Sequence, residues 1–185
     1  MAGPLYDFDF DDFEEHIQYV TENDIIEVEY TEKDERKAEK WARKLGALKN
    51  SITKGKANKE ARIGEIVVER LVGGTIMDDF QYDILHPNGA KLEIKTKRTT
   101  LKTPPKLHFE CSVANYNATQ QCDKYIFVRV STECNKAWIL GEIEKSDFVH
   151  HSRFTRKGEY DDRNRFFCHA DCNNIEIRKL HPITI

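Results

Sequence analysis

Residues 81–98, QYDILHPNGAKLEIKTKR, set a turn signal between two runs of alternating polarity. Pro-Asn-Gly flanked by such runs predicts a β-hairpin, with Gly89 in the left-handed position of a three-residue loop at 87–89. That loop pairs His86 with Ala90. Counting inward, Asp83 falls opposite Glu93 and Gln81 opposite Lys95. Side chains alternate across a strand, so Tyr82, Ile84, Leu92 and Ile94 share one apolar face and are expected in the core. Asp83, Glu93 and Lys95 share the other face.

Two carboxylates at such close range repel when ionised, unless a cation lies between them. Hard oxygen ligands with no neighbouring histidine or cysteine favour Mg²⁺, with Mn²⁺ as a substitute. A lysine two residues beyond the second carboxylate shares its face and reaches the same space. Ligands, a polarised water and a cation to offset developing charge are what phosphodiester hydrolysis needs. The same triplet also suits a surface hairpin with a Glu–Lys pair, so its surroundings have to discriminate.

Those surroundings are asymmetric in charge. Residues 1–35 hold thirteen Asp and Glu against one lysine, whereas the remainder holds 28 basic against 19 acidic residues. A basic body suits a phosphate backbone, although solvated helix faces use the same lysines. The acidic arm is expected to shield that basic surface or to dock a protein partner. The opening MAGPLYDFDF has neither a basic stretch nor an apolar run. No secretory leader, no membrane span and a cytoplasmic setting are therefore expected. Five widely spaced cysteines then read as reduced thiols. Cys168, His169 and Cys172 lack the spacing of a standard zinc set.

Along the chain, Phe10, Phe13, Ile17 and Val20 suggest a first helix, and DIIEVEY a strand. Residues 33–49 suggest an amphipathic helix with Ala38, Trp41, Ala42 and Leu45 inward. A helix over about 58–72 follows, with only Arg62, Glu65 and Glu69 on its polar strip and Gly73-Gly74 as its stop. Strands are expected at about 75–85, 90–98 and 107–113, then a short helix near 115–121, then strands in KYIFVRV and KAWILGEI. His150 and His151 read as loop. The order α-β-β-β-α-β spans 58–131. The division expected is an acidic arm and helical extension, 1–57, and a core with a strand-rich extension, 58–185, in one compact body.

With GEIVVERLVGG supplying Glu65 and YDILHPNGAKLEIK supplying Asp83, Glu93 and Lys95, the chain resembles the PD-(D/E)xK nuclease superfamily. Tyr82 stands where the proline of that name would be. QCDKY, 121–125, resembles the Q-x-x-x-Y element of some members, and the spacing around DILHPNGAKLEIK is similar to bacteriophage junction-resolving endonucleases. The resemblance covers about 58–131. It implies an α/β, restriction-endonuclease-like αβββαβ core, with a mixed central sheet flanked by helices.

It also implies roles. Asp83 and Glu93 would hold the metal with the Ile94 carbonyl, and Glu65 would steady a second metal or its water. Lys95 would orient or deprotonate the attacking water or stabilise the phosphorane. Lys97, Arg98, Lys102 and Lys106 extend a basic path and Arg62 is a further substrate contact; Gln120 and Gln121 are expected either to touch substrate or a metal-bound water or to be a simple polar helix end. The expected activity is Mg²⁺-dependent DNA endonuclease. A branched-DNA resolvase, an exonuclease and a catalytically idle nucleic-acid-binding module are the alternatives, with DNA as partner and a homodimer open.

Overall fold

The computed structural model describes residues 18–45, 58–115, 119–163 and 165–184. The first half of the acidic arm, the first helix expected around Phe10, Phe13 and Ile17, and residues 116–118 of the helix expected at 115–121 lie outside these residues.

The protein is a mixed α/β fold; its described residues form three α-helices, a curled six-stranded mixed sheet, a small three-stranded antiparallel sheet and a two-stranded ribbon. The first strand, β1 (Ile26–Glu29), is an edge strand of the large sheet, so residues assigned to the extension belong to the main body. Helix α1 (Glu32–Leu45) begins in a reciprocal cap. Thr31 N–H donates to Asp34 Oδ2 at 2.9 Å, and Asp34 N–H donates to Thr31 Oγ1 at 3.3 Å. Asp34 also accepts from Arg70 Nη2 at 2.8 Å, which ties α1 to α2 (Asn58–Val72). Ala38 is fully buried and Trp41 half-buried, but Leu45 lies exposed rather than inward.

Helix α2 has the expected bounds and ends where Gly73, at φ 76°, donates to Glu69 O. Its face carries Ile63, Ile66, Val67 and Val68 against the sheet. A Cβ built on Gly64 would lie 2.0 Å from Thr96 Oγ1, so this glycine sets how closely helix and sheet approach.

The expected strand 75–85 is instead two short ones, β2 (Thr75–Ile76) and β3 (Ile84–Leu85), joined by an irregular loop. Strand β3 pairs antiparallel with β4 (Lys91–Thr99) in the register Ile84↔Leu92. His86 N–H donates to Ala90 O and Gly89 has φ 92°, as the three-residue loop requires. The strand expected at 107–113 appears as β5 (Glu110–Ala114) but belongs to the small sheet, a correction to its place in the core. The chain re-enters the large sheet at β6 (Lys124–Ser131), parallel to β4, and continues in β7 (Lys136–Glu144), α3 (Lys145–His151) and β8 (Arg153–Thr155). His150 and His151 thus close a helix rather than lie in a loop. Strands β9 (Tyr160–Asp161) and β10 (Phe166–Phe167) form a two-stranded ribbon. Strand β11 (Cys172–Glu176) pairs with β5 and β8.

The large sheet runs β1-β7-β6-β4-β3-β2. One face packs Leu92, Ile94, Ile126, Val128 and Ile139 under α2. The other packs Tyr125, Phe127, Trp138 and Leu140 with Phe148 of α3 and Ile175 of β11. Tyr82 joins this second cluster, not the helix-side core, because the chain has left strand geometry before β3. No helix among the described residues is long and apolar enough to cross a membrane.

Candidate active site

Strand β4 places Glu93, Lys95 and Lys97 on the sheet face away from α2, beside Tyr125, Phe127 and Arg129 of β6. Asp83 stands directly before β3. Its N–H donates to Leu92 O at 2.9 Å, and its Oδ2 accepts the Ile94 N–H at 2.7 Å. The aspartate side chain thereby extends the ladder past the point where β3 ends. The N–H and C=O of one strand residue point to the same edge, so the Ile94 carbonyl faces this side as well.

Glu93 is only 5% exposed. Its Oε1 accepts Lys95 Nζ at 2.7 Å and Gln120 Nε2 at 2.9 Å, while its Oε2 is buried with no hydrogen-bond partner. Gln120 binds three groups at once. Its Nε2 also donates to Phe80 O at 2.7 Å, and its Oε1 accepts Lys95 Nζ at 3.1 Å. Lys145 Nζ donates to the Gln120 carbonyl, which pins the main chain behind the amide. Lys95 Nζ also lies 5.9 Å from the Tyr125 ring centroid. Gln120, expected to touch substrate or a metal-bound water or to be a polar helix end, is therefore the residue that orders the glutamate and the lysine. Gln121 is exposed, its N–H bound to Gln81 Oε1. Tyr125 sits in β6 rather than on a helix.

Glu65 occupies a buried, paired environment instead of a wet cleft. It accepts Arg62 Nη1 at 2.6 Å, and Arg62 stacks 4.7 Å from the Trp41 ring centroid while reaching Asp78 Oδ1 at 3.3 Å. Trp41 Nε1 donates to the same Asp78 oxygen at 2.9 Å. Arg62 is thus a buried counter-ion for Glu65, not a side chain presented to a phosphate. Asp78 reaches the rim of the site because residues 77–83 are a loop.

The electrostatics follow from this packing. Burial pushes the Asp83 carboxyl well above its usual range, and Glu93 and Glu65 push it further; the Ile94 N–H and Lys95 oppose them. Burial raises Glu65 to about 7, against the charge and hydrogen bond of Arg62, with Glu93 and Asp78 adding to the rise. Desolvation, then the charge of Arg129, lowers the Lys97 amine. Lys97 keeps exposed surface although its amine is desolvated, and Arg98, Lys102 and Lys106 are exposed beyond the site.

Among the described residues, no three His, Cys, Asp or Glu side chains are close enough together to hold a metal unaided. This covers Cys168, His169 and Cys172, whose thiols are free. At the hairpin, a cation would draw on Asp83, Glu93 and a backbone carbonyl. The unpartnered, buried Glu93 Oε2 and the two mutually repelling carboxyls fit a hard divalent ion such as Mg²⁺.

No family model matches this chain, and no curated protein matches it.

Proposed function

We propose that the chain is a Mg²⁺-dependent DNA endonuclease with a restriction-endonuclease-like core, hydrolysing phosphodiester bonds at Asp83, Glu93 and Lys95. One observation carries the reading. The Asp83 and Glu93 carboxyls lie close enough for their charges to oppose each other, and one buried glutamate oxygen has no partner while the other is held by Lys95 and Gln120. Leaving a buried charged acceptor unpaired costs roughly 1–3 kcal/mol or more, a cost that a structural hairpin has no use for. The order α2, β2, β3, β4, crossover, parallel β6 supports the fold assignment.

Asp83, Glu93 and the Ile94 carbonyl would hold the metal, with Glu65 behind them. Bound there, Mg²⁺ would polarise the phosphoryl group and lower the pKa of water. The chain's own groups do the rest. Lys95 uses two ammonium protons on Glu93 and Gln120, which leaves a third donor for the attacking water or for the phosphate oxygens as charge builds. Gln120 keeps that amine aimed. Lys97, Arg98 and Lys102 position the backbone, and exposed Gln121 stands at the rim.

The test is cleavage of plasmid and branched DNA with Mg²⁺, Mn²⁺, Ca²⁺ or EDTA, for the natural sequence and Lys95→Ala. Cleavage with Mg²⁺ or Mn²⁺, lost in EDTA and reduced at least about a hundredfold in Lys95→Ala, is expected. Equal rates for the two proteins would refute the assigned chemistry. DNA binding without cleavage under every condition would point to the idle module instead.

A further inference from the structure

The ribbon formed by β9 and β10 is not used by the proposed chemistry, yet it presents an unusual surface. Three of the five exposed large aromatic side chains among the described residues lie on it or on β8: Tyr160 at 51% and Phe167 at 63% exposure on the ribbon, and Phe154 at 47% on β8. Tyr160 and Phe167 face each other across the ribbon with ring centroids 5.1 Å apart, edge to face. Phe154 and Tyr160 line one cavity of about 270 Å³ together with Arg153, Asp162 and Arg163. Single exposed apolar residues are ordinary, but a cluster open to solvent marks an interaction surface.

Charge narrows the partner. Arg156, Lys157 and Arg165 are exposed and form no ion pair among the described residues, and Arg163 is 60% exposed at its side chain. Arg163 already pairs with Glu110 and Glu176, and against the remaining cations stand Glu159, Asp162 and Asp171, the last accepting the Lys157 N–H at 2.7 Å. Glu159 is already committed to the turn, accepting the Arg156 N–H at 2.9 Å. Rings interleaved with cations suit a chain of bases on a phosphate backbone.

The ribbon is also connected to the candidate site. Lys97 follows Lys95 on the same sheet face and lies beside Arg129. Arg129 Nη2 donates to Glu110 O at 3.0 Å, Glu110 Oε2 accepts Arg153 at 2.6 Å, and Arg153 holds Asp161 of β9 at 2.9 Å. These ion pairs tie the ribbon through β8 to β5, and the Arg129 bond ties β5 to β6, the neighbour of β4.

We propose that Phe154, Tyr160 and Phe167 form a stacking platform for unpaired bases, so that the substrate is DNA with a single-stranded arm. This rests on the nucleic-acid reading above and narrows it. Bases in a duplex hide their faces in the stack, and a protein that gripped only duplex phosphates would gain nothing from exposed rings. A single strand offers each ring a base face while Arg156, Lys157 and Arg165 follow its phosphates.

Fluorescence anisotropy of a labelled oligothymidylate and of a blunt duplex, both in EDTA, tests the platform apart from cleavage. The protein is compared with the triple variant Phe154→Ser, Tyr160→Ser, Phe167→Ser, and with Arg156→Gln, Lys157→Gln. The triple variant should bind oligothymidylate at least about tenfold more weakly with duplex affinity unchanged. Tyr160→Phe alone should bind like the natural sequence. The charge variant should weaken both ligands and flatten the salt dependence. Equal oligothymidylate binding by the triple variant, an equal loss on both ligands, or no oligothymidylate binding by the natural sequence would overturn the platform. Melting midpoints accompany each titration, and the single variants Phe154→Ser and Phe167→Ser replace the triple one should it unfold. Oligothymidylate binding without cleavage of any DNA would sink the nuclease reading and leave the platform standing.

Discussion

Asp83 Oδ2 accepts the Ile94 N–H at 2.7 Å, so a carboxylate stands where a sheet would place a backbone carbonyl. The bond orients Asp83 toward Glu93 and also supplies a ladder bond that β3 is too short to make. Geometry and charge can be separated here, because an amide oxygen accepts the same bond without the charge.

Asp83→Asn should therefore keep the fold and lose the activity. Cleavage is expected to fall by at least about a hundredfold, as when a transition-state contact is removed. The melting midpoint at pH 8 should equal or exceed that of the natural sequence, since the variant no longer ionises a buried carboxyl beside Glu93 and Glu65. Asp83→Ala loses the Ile94 bond as well and should melt lower. Comparison of the two midpoints checks the point, and a lower midpoint for the asparagine variant would contradict it.

Gln120 should behave as a positioning residue. Its replacement by alanine leaves Phe80 O and Glu93 Oε1 short of a donor, at about 1–3 kcal/mol of stability. A fall in kcat of tenfold or more with KM nearly unchanged is expected. Gln120→Glu should be worse at equal volume, because it turns an acceptor toward Glu93 Oε1 and Phe80 O. Steady-state kinetics and urea unfolding of both variants measure this, and a change in KM alone would count against it.

How much of this was legible follows from which signals are local. The register of β3 on β4 was readable because Pro-Asn-Gly fixes the loop and the two-residue period does the rest. Helix α2 was readable from its nearly all-round apolar face. The split of 75–85 was not. Its loop is held by bonds from remote residues, from Trp41 to Asp78, from Gln120 to Phe80 and from Gln121 to Gln81, and no nearby pattern encodes them. Alternation near 107–113 marks a strand but carries no address, and the strand pairs with β11. Arg62 was misplaced for a similar reason, since a helix wheel cannot show that Trp41 of another helix covers its polar strip. The Q-x-x-x-Y spacing points to Gln121 whereas Gln120 makes the contacts, and a one-residue difference in a crossover has no period to correct it.

The approach of α2 to β4 should tolerate no side chain at Gly64. Gly64→Ala puts a Cβ 2.0 Å from Thr96 Oγ1 and 3.1 Å from Thr96 Cβ. Overpacking of this kind costs about 1–3 kcal/mol. Because Thr96 Oγ1 is buried without a partner, Thr96→Ala removes the closest obstacle at little cost. The double variant should recover part of the loss, which a double-mutant cycle by urea unfolding reads directly. Additive losses would mean that the helix shifts instead.

The raised carboxyls set the sign of the pH dependence. Glu65 binds its proton up to about pH 7 in the folded protein, against an ordinary value near 4.5, and Asp83 is displaced in the same direction. The folded state therefore holds more protons than the unfolded chain across that interval, and stability falls as pH rises through it. Below the interval both states are protonated and nothing is lost. The Glu65 part of the loss is half complete near pH 7 and levels off above it, at about 3 kcal/mol. In EDTA the melting midpoint should thus decline from pH 4.5 to 7, and Glu65→Gln should flatten the decline. Mg²⁺ should act in the opposite sense, because its ligands must be deprotonated to bind it. The rise in midpoint on adding Mg²⁺ should be small at pH 5.5 and larger at pH 8, and absent in Asp83→Asn at both. A Mg²⁺-induced rise of equal size in Asp83→Asn would place the ion away from the hairpin. A midpoint in EDTA that climbs from pH 4.5 to 7 would show that these carboxyls are stabilised, not strained, by their surroundings.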